Sequence, residues 1–252
     1  MDAEARVQVP EFGNIGNLVQ RLCWNLIHLV VSLWYSLVDL LLAAESHLIS
    51  KEWLTSYKNL NIGKVKYLAL VIDSQDACRT FEVIELLQWL RNLGVKQVCL
   101  YDAEGMLKWS KESIMKGLGN VSLFGASSEN ELPCDQKHMT LEFASVADGK
   151  KAVAKAANVL LKRLKSENVD GDTKDLTFTE QDMFEALKSI GYGAPDPDLL
   201  LVYGPARCHL GFPAWRLRYT EIVHMNPLDC KKYGSLIKAI YKFTIVRQNY
   251  GK

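Results

Sequence analysis

The stretch DLLLVYGPARCHLGFPAWRLRYTEI, residues 198–222, decides the fold of this chain. It begins with a short continuous apolar run, which is typical of a strand buried in a parallel sheet. Glycine and proline then predict a turn-rich loop, and an apolar segment that contains a tryptophan follows the loop. The stretch therefore indicates a buried strand whose carboxyl end opens into an irregular loop.

Upstream of this stretch, predicted strands alternate with predicted helices. Residues 65–72, VKYLALVI, form another apolar run of strand length, and residues 97–101 and 139–145 are further strand candidates. The helices predicted from apolar spacing or capping signals span residues 81–93, 107–115, 150–167, 179–191 and 235–246. This order of elements predicts an α/β fold, a parallel sheet with flanking helices.

Local signals predict the ends and faces of these helices. Gly94 is suited to end the first of them, because glycine readily adopts the left-handed conformation at a helix C-terminus. Thr179 and Asp182 have the spacing of a capping box. Residues 117–135 are polar and rich in turn formers, so we expect a surface loop there. The expected buried face of the helix at 150–167 holds Val153, Ala157, Leu160, Leu161 and Leu164.

Composition and charge exclude several classes of function. The 252 residues are 48% hydrophobic, which suffices for one substantial core and an appendage. The formal net charge of +1 gives no indication of nucleic-acid binding. None of the six cysteines forms a CxxC pair, and no set of cysteines and histidines has zinc-finger spacing. We therefore expect reduced thiols, no metal ligand set in this chain and no nucleic-acid partner.

The N-terminal part contains a long apolar segment, residues 22–44, LCWNLIHLVVSLWYSLVDLLLAA. As a helix it is long enough to cross a hydrocarbon core of roughly 30 Å, although Asn25, His28 and Asp39 interrupt it. A membrane anchor is the first interpretation. The alternatives are an amphipathic helix on a bilayer or on a partner, and a cleaved signal peptide. Lysines that follow the segment favour a cytosolic C-terminal domain.

Residues 198–222 resemble, without a gap, the signature segment of the cis-prenyltransferases, the undecaprenyl and dehydrodolichyl diphosphate synthases. The residues shared with that family are Asp198, Leu199, Leu200, Phe212, Trp215, Leu217, Tyr219 and Glu221. The family's diphosphate-binding pattern, Arg-Thr-Ser-Gly-Glu-x-Arg, is not matched. Val202 and Cys208 replace its arginines, and Ala206 replaces its glutamate. Glu221 matches a carboxylate that the family links to metal, and without the other acid we expect it to be structural.

A second resemblance lies at residues 67–75, which correspond to the first cis-prenyltransferase motif, His-x-x-x-x-x-Asp-Gly-Asn. Asp73 matches the aspartate of this motif. The family's His, Gly and Asn are replaced by Tyr67, Ser74 and Gln75. Losing the glycine hinders a close approach of the backbone to a phosphate, and Asp76 adds negative charge. Asp73 ends a predicted strand, where open α/β sheets bind ligands, and the alternative is that it caps the next helix.

Positive charge near the signature segment comes from Arg207, Arg216 and Arg218. We expect these arginines to be solvated on the surface. The alternative is a contact with a lipid phosphate or with a partner.

The C-terminal sequence RQNYGK, residues 247–252, resembles another family element. Dimeric cis-prenyltransferases end in Arg-x-Gly, which reaches into the diphosphate site of the neighbouring subunit. Asn249, Tyr250 and Gly251 stand in that register, and the resemblance implies a diphosphate contact in trans. An asparagine amide can donate a hydrogen bond to phosphate but supplies no charge. A frayed C-terminus without function is the alternative.

These features together are similar to the Nogo-B receptor family, the accessory subunits of eukaryotic cis-prenyltransferases, and most to its plant members. The resemblance implies an N-terminal segment (1–50) with the anchor, and a domain (51–252) with a six-stranded parallel sheet. It further implies no catalytic residue in this chain, Mg²⁺ bound mainly by a catalytic partner, and isopentenyl diphosphate at a shared site. The expected location is the endoplasmic reticulum membrane. The alternative function is a membrane-anchored receptor or lipid-binding adaptor on an inactive enzyme fold.

Overall fold

The computed structural model describes residues 12–51, 60–124, 138–167 and 178–246. Within these ranges the chain forms a six-stranded sheet with the strand order β3-β4-β2-β1-β5-β6. All neighbouring strands are parallel. The strands are β1 (Tyr67–Ile72), β2 (Gln97–Asp102), β3 (Val121–Leu123), β4 (Met139–Ser145), β5 (Leu199–Tyr203) and β6 (Glu221–Met225). The predicted α/β fold and its six-stranded parallel sheet are confirmed.

Eight α-helices flank or precede the sheet in the described part of the chain. They are α1 (Phe12–Ser50), α2 (Ser74–Ala77), α3 (Thr80–Leu93), α4 (Met106–Trp109), α5 (Lys111–Leu118), α6 (Lys150–Glu167), α7 (Glu180–Ser189) and α8 (Tyr233–Ile245). Gly94 ends α3 with a φ of 95°, and the Thr179–Asp182 capping box begins α7, both as predicted. The helix predicted at 107–115 is instead two short helices, which meet at Ser110.

The expected surface loop at 117–135 contains a strand that the sequence did not reveal. Val121–Leu123 forms β3, the edge strand beside β4. Three half-buried residues give too short a pattern for a strand prediction. Residues 125–135 of that loop lie outside the described part of the chain.

The buried face of α6 differs from the predicted one. Ala152, Ala156 and Leu160 are buried against Ala186 and Leu187 of α7. Two residues of the predicted face, Ala157 and Leu161, are exposed. The prediction followed the larger apolar residues, and the face that they define is rotated by about one residue from the buried face. Alanines form the actual face because they let the two helices pack closely.

The sheet has a large core on one face and a small one on the other. Along β1, Leu68, Leu70 and Ile72 point into the large core, which also contains residues of α3, α5 and α8. Tyr67, Ala69 and Val71 point to the opposite face, where a small cluster includes Phe212. Both faces are therefore covered, as the continuous apolar runs of β1 and β5 predict.

The N-terminal helix α1 extends beyond the predicted anchor and packs on the domain. Within Leu18–Ser50, an 18-residue stretch has a mean hydropathy of 1.9, and none of this stretch is buried against the domain. Length and composition therefore suffice for a membrane span. Close to its C-terminal end, Ser46 and Ile49 are buried. Gly234 of α8 lies against the Ser46 backbone, and a Cβ there would be 2.1 Å from the Ser46 oxygen. Any larger residue at 234 would push α1 away from α8.

Candidate functional site

The candidate site is the crevice at the carboxyl ends of β1 and β5. The chain runs from β1 to β2 on one side and later returns to place β5 on the other side of β1. Open parallel sheets bind ligands at such a switch point. Asp73 follows β1, and the loop at 204–212 follows β5, so the sequence motifs singled out above do meet at this edge.

Asp73 forms hydrogen bonds with the backbone on both sides of the β1 end. It is the N-cap of α2, and its carboxylate accepts a hydrogen bond from the Gln75 backbone N–H at 3.2 Å. Its own N–H donates to the Tyr203 carbonyl oxygen at 2.9 Å, which joins β1 to β5. This geometry is the capping alternative drawn from the sequence.

The three positions that differ from the cis-prenyltransferase pattern supply no charge on the side of β5. Val202 is 1% exposed, and its side chain lies in the small core with Val71 and Phe212. Ala206 and Cys208 are exposed on the loop that follows. A buried valine and two exposed neutral side chains offer no charged partner for a diphosphate.

The loop after β5 folds back against the end of the sheet. The Leu210 carbonyl oxygen accepts a hydrogen bond from the Tyr101 hydroxyl at 3.2 Å, and Phe212 packs edge-on against Tyr101 at 5.3 Å between ring centroids. Leu210 holds a φ of 48°, which turns the chain inward. A Cβ added to Gly204 would lie 3.3 Å from Leu210 and 3.5 Å from Asp73. Leu210 and Asp73 therefore both lie beside Gly204.

Two other acidic residues near this edge also accept hydrogen bonds from backbone N–H groups. Asp102 is fully buried and accepts hydrogen bonds from the backbone N–H groups of residues 105, 106 and 107 at 2.7–3.0 Å. Asp76 accepts one from the Leu228 N–H at 3.0 Å. These carboxylates stabilise the loops at this edge of the sheet.

The resemblance implies Mg²⁺, and the described residues do not fit a complete magnesium site. Glu221 is exposed at the amino end of β6 and pairs through Leu199 with Leu68, five residues before Asp73. The two carboxylates are thus separated by about 17 Å along the strands, whereas ligand oxygens lie about 2.1 Å from Mg²⁺. No group of three or more histidines, cysteines or acids in the described ranges could hold a metal.

Arg216 is buried, so the expectation that it lies solvated on the surface is wrong. It is 7% exposed, and its guanidinium holds both Glu142 oxygens, at 2.9 and 2.8 Å. It also donates to the Tyr67 hydroxyl at 3.0 Å, and that hydroxyl donates to Glu142. Burial raises the pKa of the neighbouring Cys99 thiol to about 11, so Glu142 supplies the counter-charge.

The other two arginines near the signature segment are exposed, as expected. Arg207 lies on the loop after β5. Arg218 donates to Asp196 at 3.0 Å and to Glu180 at the start of α7. Arg218 therefore ties the segment to α7 at the surface.

The Arg216–Glu142–Tyr67 cluster is the polar feature that sequence reasoning missed. One signal was present, because Glu142 is the single charged residue of the strand candidate at 139–145. A charge inside a strand that is buried on both faces needs a partner. The partner could not be identified, since Arg216 is 74 residues away in the chain.

A cavity of about 500 Å³ adjoins this cluster. Arg216 and Glu142 line it together with Asp148. Burial opposes the ionisation of Asp148, but hydrogen bonds from Lys108 and the Ser145 N–H outweigh it and lower the pKa of Asp148 below its usual value. The Tyr192 hydroxyl also donates to Asp148, at 3.2 Å. The charged groups of Asp148 and Glu142 are thus already bound by protein partners.

The predicted diphosphate contact at Asn249, Tyr250 and Gly251 lies outside the described residues. Helix α8 ends at Ile245, and Val246 is the last described position. The role of the three residues stays a prediction.

The curated proteins with similar sequences are subunits of dehydrodolichyl diphosphate synthase complexes. No family model matches the chain. It is 26% identical over 201 residues to the dehydrodolichyl diphosphate synthase complex subunit NUS1 of Homo sapiens, covering 74% of this chain and 66% of the human protein. The Schizosaccharomyces pombe subunit nus1 is 23% identical over 211 residues, covering 75% of this chain and 77% of that protein. The resemblance to the accessory subunits is confirmed, and the likeness to plant members stays a prediction.

Solved structures support the fold. Lavandulyl diphosphate synthase from Lavandula x intermedia, solved with dimethylallyl diphosphate, superposes with a TM-score of 0.51. The alignment covers 75% of this chain and 99% of that one at 15% identity, so the likeness concerns the fold alone. The fold expected from residues 198–222 is therefore confirmed.

Proposed function

We propose that this homologue of the NUS1 subunits is the accessory subunit of a heteromeric cis-prenyltransferase, a dehydrodolichyl diphosphate synthase complex. The complex adds isopentenyl diphosphate units to farnesyl diphosphate, and its product is the precursor of dolichol, the lipid carrier for protein glycosylation. The observation that carries this proposal is that Val202, Ala206 and Cys208 bring no charge to the crevice, where Asp73 serves as a helix cap.

The chemistry of chain elongation explains why a partner is needed. The allylic diphosphate must ionise, and Mg²⁺ and cationic side chains must stabilise the leaving diphosphate. Here Val202, Ala206 and Cys208 supply no charge, while Asp73 and Glu221 lie at opposite ends of the strands. The catalytic partner therefore provides the metal ligands and the arginines, and Mg²⁺ is bound mainly there.

The contribution of this chain is structural and positional. Helix α1 attaches the complex to the endoplasmic reticulum membrane, and residues 51–252 lie on the cytosolic side. The support for attachment is the exposed apolar surface of α1, whose Leu22, Leu26 and Leu33 are each about 60% exposed. Burying such surface is favourable at roughly 25 cal/mol per Å².

Identification of the partner tests the proposal. The full chain is purified from its native membranes in mild detergent, and the proteins bound in stoichiometric amount are identified by mass spectrometry. We expect one catalytic cis-prenyltransferase subunit. If no prenyltransferase is present at stoichiometric amount, the accessory role fails and the adaptor function remains.

Deleting residues 249–252 tests the tail. One hydrogen bond to a charged phosphate contributes about 1.5–3 kcal/mol, so we expect kcat/KM for isopentenyl diphosphate to fall about tenfold or more. The measurement is steady-state prenyl transfer by the co-purified complex, with Gln248→Ala as the control outside the deleted segment. Unchanged kinetics in an intact complex would remove the tail from the mechanism.

A further inference from the structure

A basic cavity lies where α1 meets β6 and α8. Its volume is about 190 Å³, and Leu42 of α1 and Met225 of β6 form part of its wall. Its lining includes the four lysines Lys231, Lys232, Lys238 and Lys242, and among the described residues no carboxylate lines it. We call this space the α1–α8 cavity. Its described lining is therefore rich in positively charged side chains.

Two of the four lysines are already neutralised. Lys231 forms ion pairs with Glu82 and, at 2.9 Å, with Glu85. Lys238 forms one with Glu45 of α1 at 2.5 Å. Lys232 and Lys242 form no ion pair with any residue that the structure describes. The cavity therefore has about two positive charges available for a ligand.

The packing of α1 on α8 places the cavity at the end of the apolar segment. Ser46 lies against Gly234 and Glu45 binds Lys238, so the two helices run antiparallel. The C-terminal half of α8 thus runs beside α1 towards its apolar part. At that end of α8, Ile245 is 61% exposed and Val246 is 48% exposed. In a membrane that contains the apolar part of α1, the lipid headgroups would lie level with this end of α8.

We propose that the α1–α8 cavity binds the phosphate of an anionic membrane lipid, held by Lys232 and Lys242. This inference rests on the proposed membrane attachment through α1. Lysine ammonium groups bind phosphate as charge-assisted donors, and long side chains reach from apolar surface to headgroups. The apolar wall at Leu42 can contact the glycerol and upper acyl region of a lipid, whereas a free phosphate has no apolar part to make this contact. The bound lipid fixes the angle at which the domain stands on the membrane.

The test measures the affinity of the purified full chain, in neutral detergent, for short-chain phosphatidic acid, with short-chain phosphatidylcholine as reference. Each lysine near an anionic lipid surface changes affinity by about fivefold. We expect Lys232→Gln/Lys242→Gln to lower the affinity for phosphatidic acid about 25-fold. Lys242→Gln alone, at an exposed position, is expected to lower it about fivefold. The control is Lys150→Gln/Lys151→Gln at exposed positions of α6, which should change nothing.

Three outcomes would overturn the proposal. Equal affinity for phosphatidic acid and phosphatidylcholine would show that the cavity does not select an anionic lipid. An equal loss in the α6 control would show diffuse charge attraction. Inorganic phosphate that competes at the same concentration as phosphatidic acid would identify a soluble ligand.

The membrane attachment itself is tested separately. The full chain should float with pure phosphatidylcholine vesicles, and failure to float would contradict attachment through α1. The titration with short-chain lipids needs no bilayer, so it still measures the affinity of the cavity for phosphatidic acid in that case. The accessory role is read from prenyl transfer in detergent, which depends on neither result.

Discussion

The purified chain alone is expected to make no detectable polyprenyl diphosphate, whereas the complex with its catalytic subunit turns over. Three charged groups of the cis-prenyltransferase pattern are absent, at Val202, Ala206 and Cys208. Each charge-assisted hydrogen bond contributes about 1.5–3 kcal/mol, so their loss lowers the rate by about a thousandfold or more. The measurement is incorporation of labelled isopentenyl diphosphate with farnesyl diphosphate and Mg²⁺, for chain, partner and complex. Robust turnover by the lone chain would contradict the accessory role.

A charge-restoring variant makes this experiment sharper. Ala206→Glu/Cys208→Arg changes two exposed positions and is expected to fold normally. It should still make no product, because Val202 still supplies no cation and Glu221 still lies at the opposite end of the strands from Asp73. Adding Val202→Arg would place an unpaired cation in the core and destabilise the domain. Activity in the two-position variant would show that this chain can ionise the allylic diphosphate without the partner.

The central strands could be predicted because burial on both faces leaves a plain pattern. Every residue of β1 and β5 is buried, and the sequence shows this as two continuous apolar runs. The edge strand β3 could not be predicted, since three half-buried residues lack a pattern. The missing charges of the candidate site were also visible, because Val202, Ala206 and Cys208 follow directly from residue types.

The path of the loop after β5 and the α1–α8 cavity could not be predicted from the sequence. Leu210 adopts a φ of 48°, a conformation that leucine rarely takes and that no local pattern indicates. The cavity requires α1 to continue to Ser50 and dock on Gly234, whereas the apolar pattern ends near residue 44. Both features depend on contacts between residues that are distant in the chain, and residue types alone do not encode such contacts.

Replacing Arg216 with methionine is expected to destabilise the domain by about 3–5 kcal/mol, because it leaves Glu142 buried without a counter-charge. The side chains of Arg216 and Glu142 are only 9% and 19% exposed, so water screens the pair weakly. The measurement is urea unfolding of the full chain in mild detergent. Arg218→Met is the matched control. Its ion pairs are more exposed and contribute about 0–1 kcal/mol.

The double variant Arg216→Met/Glu142→Leu separates a buried charge pair from a packing role. If the damage in the single variant comes from the unpaired Glu142, removing both charges should restore most of the lost stability, because apolar replacements of buried ion pairs are often neutral. If Arg216 acts mainly through its ring contacts with Tyr67 and Phe212, at 5.7 Å each, the double variant should remain as unstable as the single one. That second result would contradict the assignment of Glu142 as the essential partner. The first would show that this buried charge pair can be replaced by apolar packing without loss of the fold.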